Sequence, residues 1–411
     1  MPEFFTVLSP EDALERLWQH LPAPSDPERV PSAEALGCVT FEPIVAPAPL
    51  PGFARSTMDG YAVRARDTFG ASQTLPAYLH VAGEAPMGRA PSFDLKAGQA
   101  ALVHTGGMLP AGADAVVMIE VTQAAGPNEI EVLRAAAPAE NVLQVGDDIA
   151  AGALMLPAGH WLRPQDIGGL AAMGLTEVLV ARRPRVALLA TGDEVVPPEA
   201  AAGPGQVRDV NSYTVAGQIA RAGGVPLRCG IAPDNFGALL AAAQAALSDA
   251  DALVLSAGSS VSVRDMTAEV VNSLGKPGML VHGVAVKPGK PTILAVANGK
   301  PVFGLPGNPV SAMVIADLFV VPTIYRLQGC QRPPRQPAVV ATLSHNLASE
   351  AGRVDYVPAR LLPGPGGAWR AEPIFGKSNQ IFTLVAADGM IVIPMDATGI
   401  SAGEMVSVRL F

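Results

Sequence analysis

Five short segments between residues 191 and 309 combine glycine or proline with polar or charged side chains. They are Thr191-Gly192-Asp193-Glu194; Asp234; Ala257-Gly258-Ser259-Ser260 with Asp265 beyond it; Lys287-Pro288-Gly289-Lys290-Pro291; and Leu305-Pro306-Gly307-Asn308-Pro309. Glycines let backbone N–H groups approach anionic oxygens, and helix N-termini add positive potential. Magnesium takes one or two protein carboxylates and leaves its other positions to phosphate and water. The mixture therefore suits a phosphorylated ligand together with Mg2+ or another divalent cation. Lys287, Lys290 and Arg264 would have to offset the net charge of −9 at the mouth of such a site. Each segment also has a plain structural reading: a Gly-Asp turn, two solvated lysines in a Pro-Gly bend, a proline that starts a helix. Their joint placement is what favours chemistry.

That placement follows from the elements around them. RVALLA (185–190) is a continuous apolar run of the kind buried on both faces of a parallel sheet. A helix around 213–222, a strand near 225–231 and a helix with Phe236, Leu239, Leu240, Ala243 and Leu247 on one face follow. ALVLS (252–256), LVHGVAV (280–286) and TILAVA (292–297) read as further strands. Alternation of this kind predicts a doubly wound α/β domain over 181–330, whose ligands bind at the carboxyl ends of the strands. All five segments should lie at that edge, with Glu194, Asp234 and Asp265 converging on one cleft. Elsewhere, Ser9-Pro10-Glu11-Asp12 opens a short helix carrying Leu14, Leu17, Trp18 and Leu21. AALVH (100–104), AVVMI (115–119) and EIEV (129–132) predict a small β domain, and PQDIGGLAAMG (164–174) another helix. QRPPRQP (331–337) has the composition of a stiff linker, and MVSVRLF (405–411) predicts a β-rich terminal domain.

Other classes are disfavoured. Lys+Arg 28 against Asp+Glu 37, with no long basic run, argues against nucleic acid. Cys38, Cys229 and Cys330 are too few and too scattered for a disulfide framework or a structural zinc site. FGKS (375–378) lacks the first P-loop glycine, since Ala371 stands there, and GxGxxG, HExxH and GxSxG are all missing. His104, with no second histidine at ligand spacing, reads as packed or exposed rather than catalytic. The start MPEFFTVLSPEDALERL is no basic-then-apolar leader, and no run of about 20 apolar residues occurs. A cytoplasmic protein with no membrane or nucleic-acid partner is expected.

Taken in order, the segments resemble the molybdopterin molybdenumtransferase family, which includes the E domain of gephyrin. STMDGYAV (56–63) is similar to that family's S-A-M-D-G-Y-A-V signature. AGEAPMG (82–88), HTGGMLPAGADAVV (104–117), VGDDIAAG (145–152), RRPRVALLATGDE (182–194), VKPGKP (286–291), LPGNPVSA (305–312) and KSNQIFTLVAADGMIVIP (377–394) follow in the family's order. The resemblance covers nearly the whole chain. It implies four parts: a discontinuous helical and extended domain (1–50 with 146–180), a small β domain (51–145), a molybdopterin-binding α/β domain (181–330) and a C-terminal β-barrel (331–411). It implies a homodimer, with the cleft between one subunit's α/β domain and the other's β domain. Without it, Asp59-Gly60 would read as a hairpin turn.

The reaction so implied is insertion of molybdenum from molybdate into adenylylated molybdopterin, with release of AMP and dependence on a divalent cation. Contact with the upstream molybdopterin adenylyltransferase is implied as well. By motif position Asp59, Thr105, Asp148, Glu194, Asp234 and Asp265 form the functional polar set, with Glu194, Asp234 and Asp265 as metal ligands. Gly192, Asp193, Gly258, Ser260, Lys287, Lys290, Pro306, Asn308, Pro309 and Ser378 line the ligand. The chain departs from the family's S-G-G-V-S-V-G-D-x-D loop, where a glycine is Ser262 and an acidic residue is Val263, while Asp265 is retained. Two other readings are a paralogue that binds molybdopterin or a partner without inserting metal, and a nucleotide hydrolase similar to the α/β domain alone.

Overall fold

The computed structural model describes residues 7–22, 26–257 and 261–411, without the side chains of residues 257, 261–264 and 365. It separates into two compact units, Pro43–Pro157 with Gly168–Thr176, and the remainder.

The larger unit is organised by a six-stranded sheet in the order 225–232, 185–191, 252–257, 300–306, 293–297, 277–282. The first four strands run parallel, and Ile293–Ala297 runs antiparallel to both its neighbours. Residues 186 to 191 are all buried, which is why the run is apolar throughout. Successive side chains point to opposite faces. Val186 and Leu188 pack with Val215 and Ile219 of helix Asn211–Arg221 and with Val310 and Ile315 of helix Pro309–Ile315. Ala187 and Leu189 pack with Leu239 and Leu247 of helix Phe236–Ser248 and with Val270 of helix Val261–Ser273. Helices on both faces make the domain doubly wound.

Two expectations need correction. Leu239, Ala243 and Leu247 are buried, but Phe236 is 39% exposed. As the first residue after the N-cap Asn235, its side chain leans towards the helix start and away from the sheet. LVHGVAV is not one strand either. The sheet strand ends at His282, Gly283 adopts φ +101°, and Val286–Lys287 pairs in parallel with Val354–Asp355 of the C-terminal domain. Only glycine takes that left-handed backbone without strain, and the break sends Lys287 into a different sheet.

The C-terminal strands close on themselves. Val354–Pro363 pairs with Trp369–Pro373 on one side and Gly389–Ile393 on the other. Ala338–Leu343 and Met405–Leu410 complete the ring. Leu343, Ala359, Ile391 and Val408 fill this closed β-barrel. At the other end of the chain, Ser9 Oγ accepts from Asp12 N at 3.1 Å and caps helix Pro10–Trp18, which buries Ala13 and Leu17. Pro27–Pro31 pairs antiparallel with Glu177–Ala181. Among the described residues one helical stretch, Pro309–Leu327, is long and apolar enough to cross a membrane. It is mostly buried, with Phe319 and Ile324 in the α/β core.

The smaller unit holds a second six-stranded sheet, ordered 115–118, 60–63, 99–103, 77–84, 129–132, 122–126. Val63, Leu79, Ala100, Val117 and Val132 form its core. Gly60 is no hairpin turn: it begins strand Gly60–Val63, and a Cβ there would fall 2.0 Å from the Val117 carbonyl oxygen. The neighbouring backbone therefore excludes every other residue.

Candidate active site

The strand polarity puts the TGDE, Asp234 and Leu305–Pro309 segments at the carboxyl edge of the α/β sheet, and the Lys287–Pro291 loop, which leaves the C-terminal sheet at Lys287, lines one cavity with Pro306–Asn308. Gly258 and Ser260 lie outside the described residues. Two adjoining cavities open at this edge, and Gly307 and Asn308 line both.

The larger cavity, about 950 Å³, is basic. Lys287, Lys290, Arg353 and Lys377 line it against one carboxylate, Asp355. Asp355 is 3% exposed; it accepts from Arg353 Nε at 2.9 Å and faces Lys287 Nζ at 3.6 Å. A lone buried carboxylate is costly, whereas one that meets two cations fixes both. Lys290 and Lys377 make no ion pair among the described residues, so their charge is available to a ligand. Gly289 has φ +125°, and a Cβ there would meet Ile315 Cδ1 at 2.5 Å, so the close packing of this loop demands glycine. Pro309 opens its helix as N1, as the plain reading supposed. Asn308, at the N-cap, does not cap: its Nδ2 donates to Ser378 Oγ at 2.9 Å, and Val310 N donates to Ser378 O at 3.0 Å. Ser378 and the Pro306–Pro309 turn are thus fastened together.

The second cavity, about 550 Å³, is lined by Thr191, Glu194, Asp209, Asn211 and Ser256 among others. Its one cation, Arg208, donates to the Pro198 and Ala200 carbonyls at 3.0 and 3.2 Å and keeps its charge, and the two carboxylates Glu194 and Asp209 outnumber it. Glu194 is exposed. Gly192, at φ +146°, brings the loop so close that a Cβ would lie 2.7 Å from Glu194 Oε2. Asn211 is 7% exposed, and its Nδ2 donates to Ser256 Oγ at 2.7 Å and to Gly307 O at 2.8 Å. One amide thereby ties the ends of two parallel strands to the start of a helix.

Asp234 turns away from this cavity. It accepts from Thr191 Oγ1 at 2.9 Å, and its own N–H donates to Asp193 Oδ1 at 3.2 Å. Asp265 is exposed on helix Val261–Ser273. Among the described residues no three His, Cys, Asp or Glu side chains are placed to share an ion. The expected set of Glu194, Asp234 and Asp265 is therefore not assembled. The reason is geometric: the three follow different strands, and Asp234 is already engaged by Thr191.

On the smaller unit, Asp59 and Thr105 do meet. Asp59 Oδ1 accepts from Thr105 N at 2.7 Å and from Thr105 Oγ1 at 3.1 Å. The Thr105 N–H chiefly, then its hydroxyl, hold the Asp59 carboxyl below the ordinary carboxylate range. His104 is neither packed away nor solitary: Nε2 lies 3.0 Å from Glu84 Oε1 and Nδ1 3.9 Å from Asp59 Oδ1. Asp148 is exposed, with a backbone bond to Leu50 O and no side-chain hydrogen bond among the described residues. Arg353, Asp355, Lys377, Asp209 and Asn211 line the two cavities, and Glu84 stands beside His104; none of them is assigned to the site by the sequence. A signal existed for one pair: Arg353 immediately precedes strand Val354–Pro363 and stands two residues from Asp355, a spacing that puts both on one face.

Known proteins are similar to the chain over nearly its whole length. Residues 8–174 match the pattern described as "MoeA N-terminal region (domain I and II)", 187–326 the "Probable molybdopterin binding domain" and 340–411 the "MoeA C-terminal region (domain IV)". Molybdopterin molybdenumtransferase 2 of Mycobacterium tuberculosis is 34% identical over 389 residues, 93% of this chain and 94% of its own. The molybdopterin molybdenumtransferase of Haemophilus influenzae is 31% identical over 406 residues, 98% of this chain and 99% of its own. The crystal structure of a molybdopterin biosynthesis MoeA protein from Pyrococcus horikosii superposes with a TM-score of 0.80 at 38% identity, covering 98% of this chain and 99% of that one. Matches of this length include the smaller unit and the barrel, which the nucleotide-hydrolase reading leaves without a role. The chain belongs to the molybdopterin molybdenumtransferase family.

Proposed function

We propose that this chain inserts molybdenum from molybdate into adenylylated molybdopterin and releases AMP, with the work divided between two cavities of opposite charge. The observation that carries the reading is the pair of cavities sharing Gly307 and Asn308, four cations on one side and Glu194 with Asp209 on the other. In this reading Lys290 and Lys377 seat phosphate oxygens directly, while Asp355 holds Lys287 and Arg353 in place for the same task. Glu194 orients the reacting groups, and Asn211 keeps the wall between the cavities rigid. A divalent cation fits the donor set, because Glu194 and Asp209 supply the one or two carboxylates that Mg2+ takes and phosphate with water supplies the rest. When bound it would neutralise phosphate charge as a bond to phosphorus breaks. Asp234 would act through Thr191 on the wall of the acidic cavity, holding its hydroxyl in place rather than meeting the ligand. Asp59 and Thr105 act from the smaller unit, in a homodimer that presents them to the other subunit, with the exposed Asp148 on the same unit.

Purified protein incubated with adenylylated molybdopterin, molybdate and Mg2+ should form molybdenum cofactor and AMP in equal amounts. Tight pterin binding with neither product would instead favour the binding paralogue. Mixing Asp59→Asn with Glu194→Gln subunits tests the dimer, since shared sites predict partial recovery of activity. Light scattering that shows a monomer at micromolar concentration would contradict it.

A further inference from the structure

Phe375 is 66% exposed, yet it stands on the wall of the basic cavity, two residues before Lys377 and three before Ser378. His345 stands nearly perpendicular to it, the rings 6.5 Å apart at 85°. An aromatic ring beside two unpaired lysines is an arrangement that can hold a nucleotide: the cations take the phosphate, and the ring takes the flat base. We propose that Phe375 is the stacking surface for the purine of the substrate's adenylyl group, with its phosphate on Lys290 and Lys377.

The proposal rests on reading the basic cavity as the phosphate seat, and it adds what that reading lacks. Lysines attract any phosphate, whereas a ring distinguishes a nucleotide from a sugar phosphate. The stack needs no rearrangement, because the Phe375 ring is already in solvent and His345 restricts how it can turn. The competing explanation is that Phe375 is one of the scattered apolar residues any surface carries.

Calorimetric titration with AMP and with ribose 5-phosphate separates the two. Wild-type protein should bind AMP about 10-fold tighter than ribose 5-phosphate, within the range that one stacked base contributes. Phe375→Ala should bring the two ligands within about 2-fold while leaving ribose 5-phosphate unchanged, and Phe375→Trp should preserve or widen the gap. Lys290→Gln should weaken both ligands equally. An AMP preference that survives Phe375→Ala, or no AMP preference in the wild type, would overturn the stacking proposal and leave the phosphate seat standing. Ribose 5-phosphate binding that ignores Lys290→Gln would instead overturn the phosphate seat.

Discussion

The two cavities share a wall but differ in how their charge is held. In the acidic one, Thr191, Glu194 and Ser256 come from the ends of neighbouring parallel strands, and a single amide, Asn211, joins the loops. In the basic one, the cations come from the Lys287–Pro291 loop and from barrel residues far along the chain, and a buried carboxylate joins them. Strand ends deliver acidic and small residues wherever the sheet topology dictates. A phosphate seat, by contrast, needs several positive charges close together, which repel, and an internal counter-ion is what keeps them there. Asp355 is therefore as much a part of the basic site as the lysines proposed to meet the ligand.

That contrast can be broken in graded steps. Asp355→Asn removes the counter-ion and should have the largest effect on stability, about 1.5–3 kcal/mol in denaturant unfolding, the range for lost hydrogen bonds to charged groups. Phosphate affinity should fall too, as Lys287 loses its anchor and Arg353 keeps only Glu350. Lys290→Gln is the control, with unchanged stability and weaker phosphate binding. Asn211→Ala should cost about 1–3 kcal/mol, since the Gly307 carbonyl and Ser256 hydroxyl both lose a buried partner. Unlike Asp355→Asn, it should slow turnover while leaving the Lys290-dependent phosphate affinity intact. A variant with the two effects reversed would show that the cavities are not held independently.

The smallest effect is expected at Asp59. A carboxyl whose folded pKa is depressed stays charged as pH falls through the ordinary carboxylate range, and whatever its charge supports is lost only below it. Activity that depends on Asp59 should therefore be flat from neutral pH down to that range. Thr105→Val removes the hydroxyl but keeps the stronger backbone N–H, so the Asp59 carboxyl should titrate at slightly higher pH. Carboxyl NMR reads this directly. A shift in the other direction would show that the Thr105 hydroxyl does not stabilise the charged form.

How legible each region was follows from the same contrast. RVALLA and ALVLS announced buried parallel strands because burial on both faces leaves an unbroken apolar run, and the loops after them followed. LVHGVAV misled for the same reason: an apolar run does not reveal that Gly283 bends it into another sheet. Lys287 and Lys290 were visible as a motif, but Arg353 and Asp355 were not. The partnership of Lys287 with Asp355 spans more than sixty residues and exists only through the pairing of Val286–Lys287 with Val354–Asp355. The Asp59–Thr105 contact was likewise hidden in two separate motifs, and resemblance singled out both residues without showing that they touch. Position after a strand fixes which edge a carboxylate occupies, not where its oxygens point, and Glu194, Asp234 and Asp265 do not gather as a group of three among the described residues.

In the proposed reaction, phosphate is seated in one cavity and the chemistry is supported from the other. Steady-state kinetics of cofactor formation on wild type, Lys290→Gln and Glu194→Gln test it most directly. Lys290→Gln should raise the KM for adenylylated molybdopterin about 10-fold with kcat nearly unchanged, and Glu194→Gln should lower kcat about 100-fold with KM nearly unchanged. The opposite assignment, or two variants that change kcat and KM together in the same ratio, would contradict the division of work between the cavities.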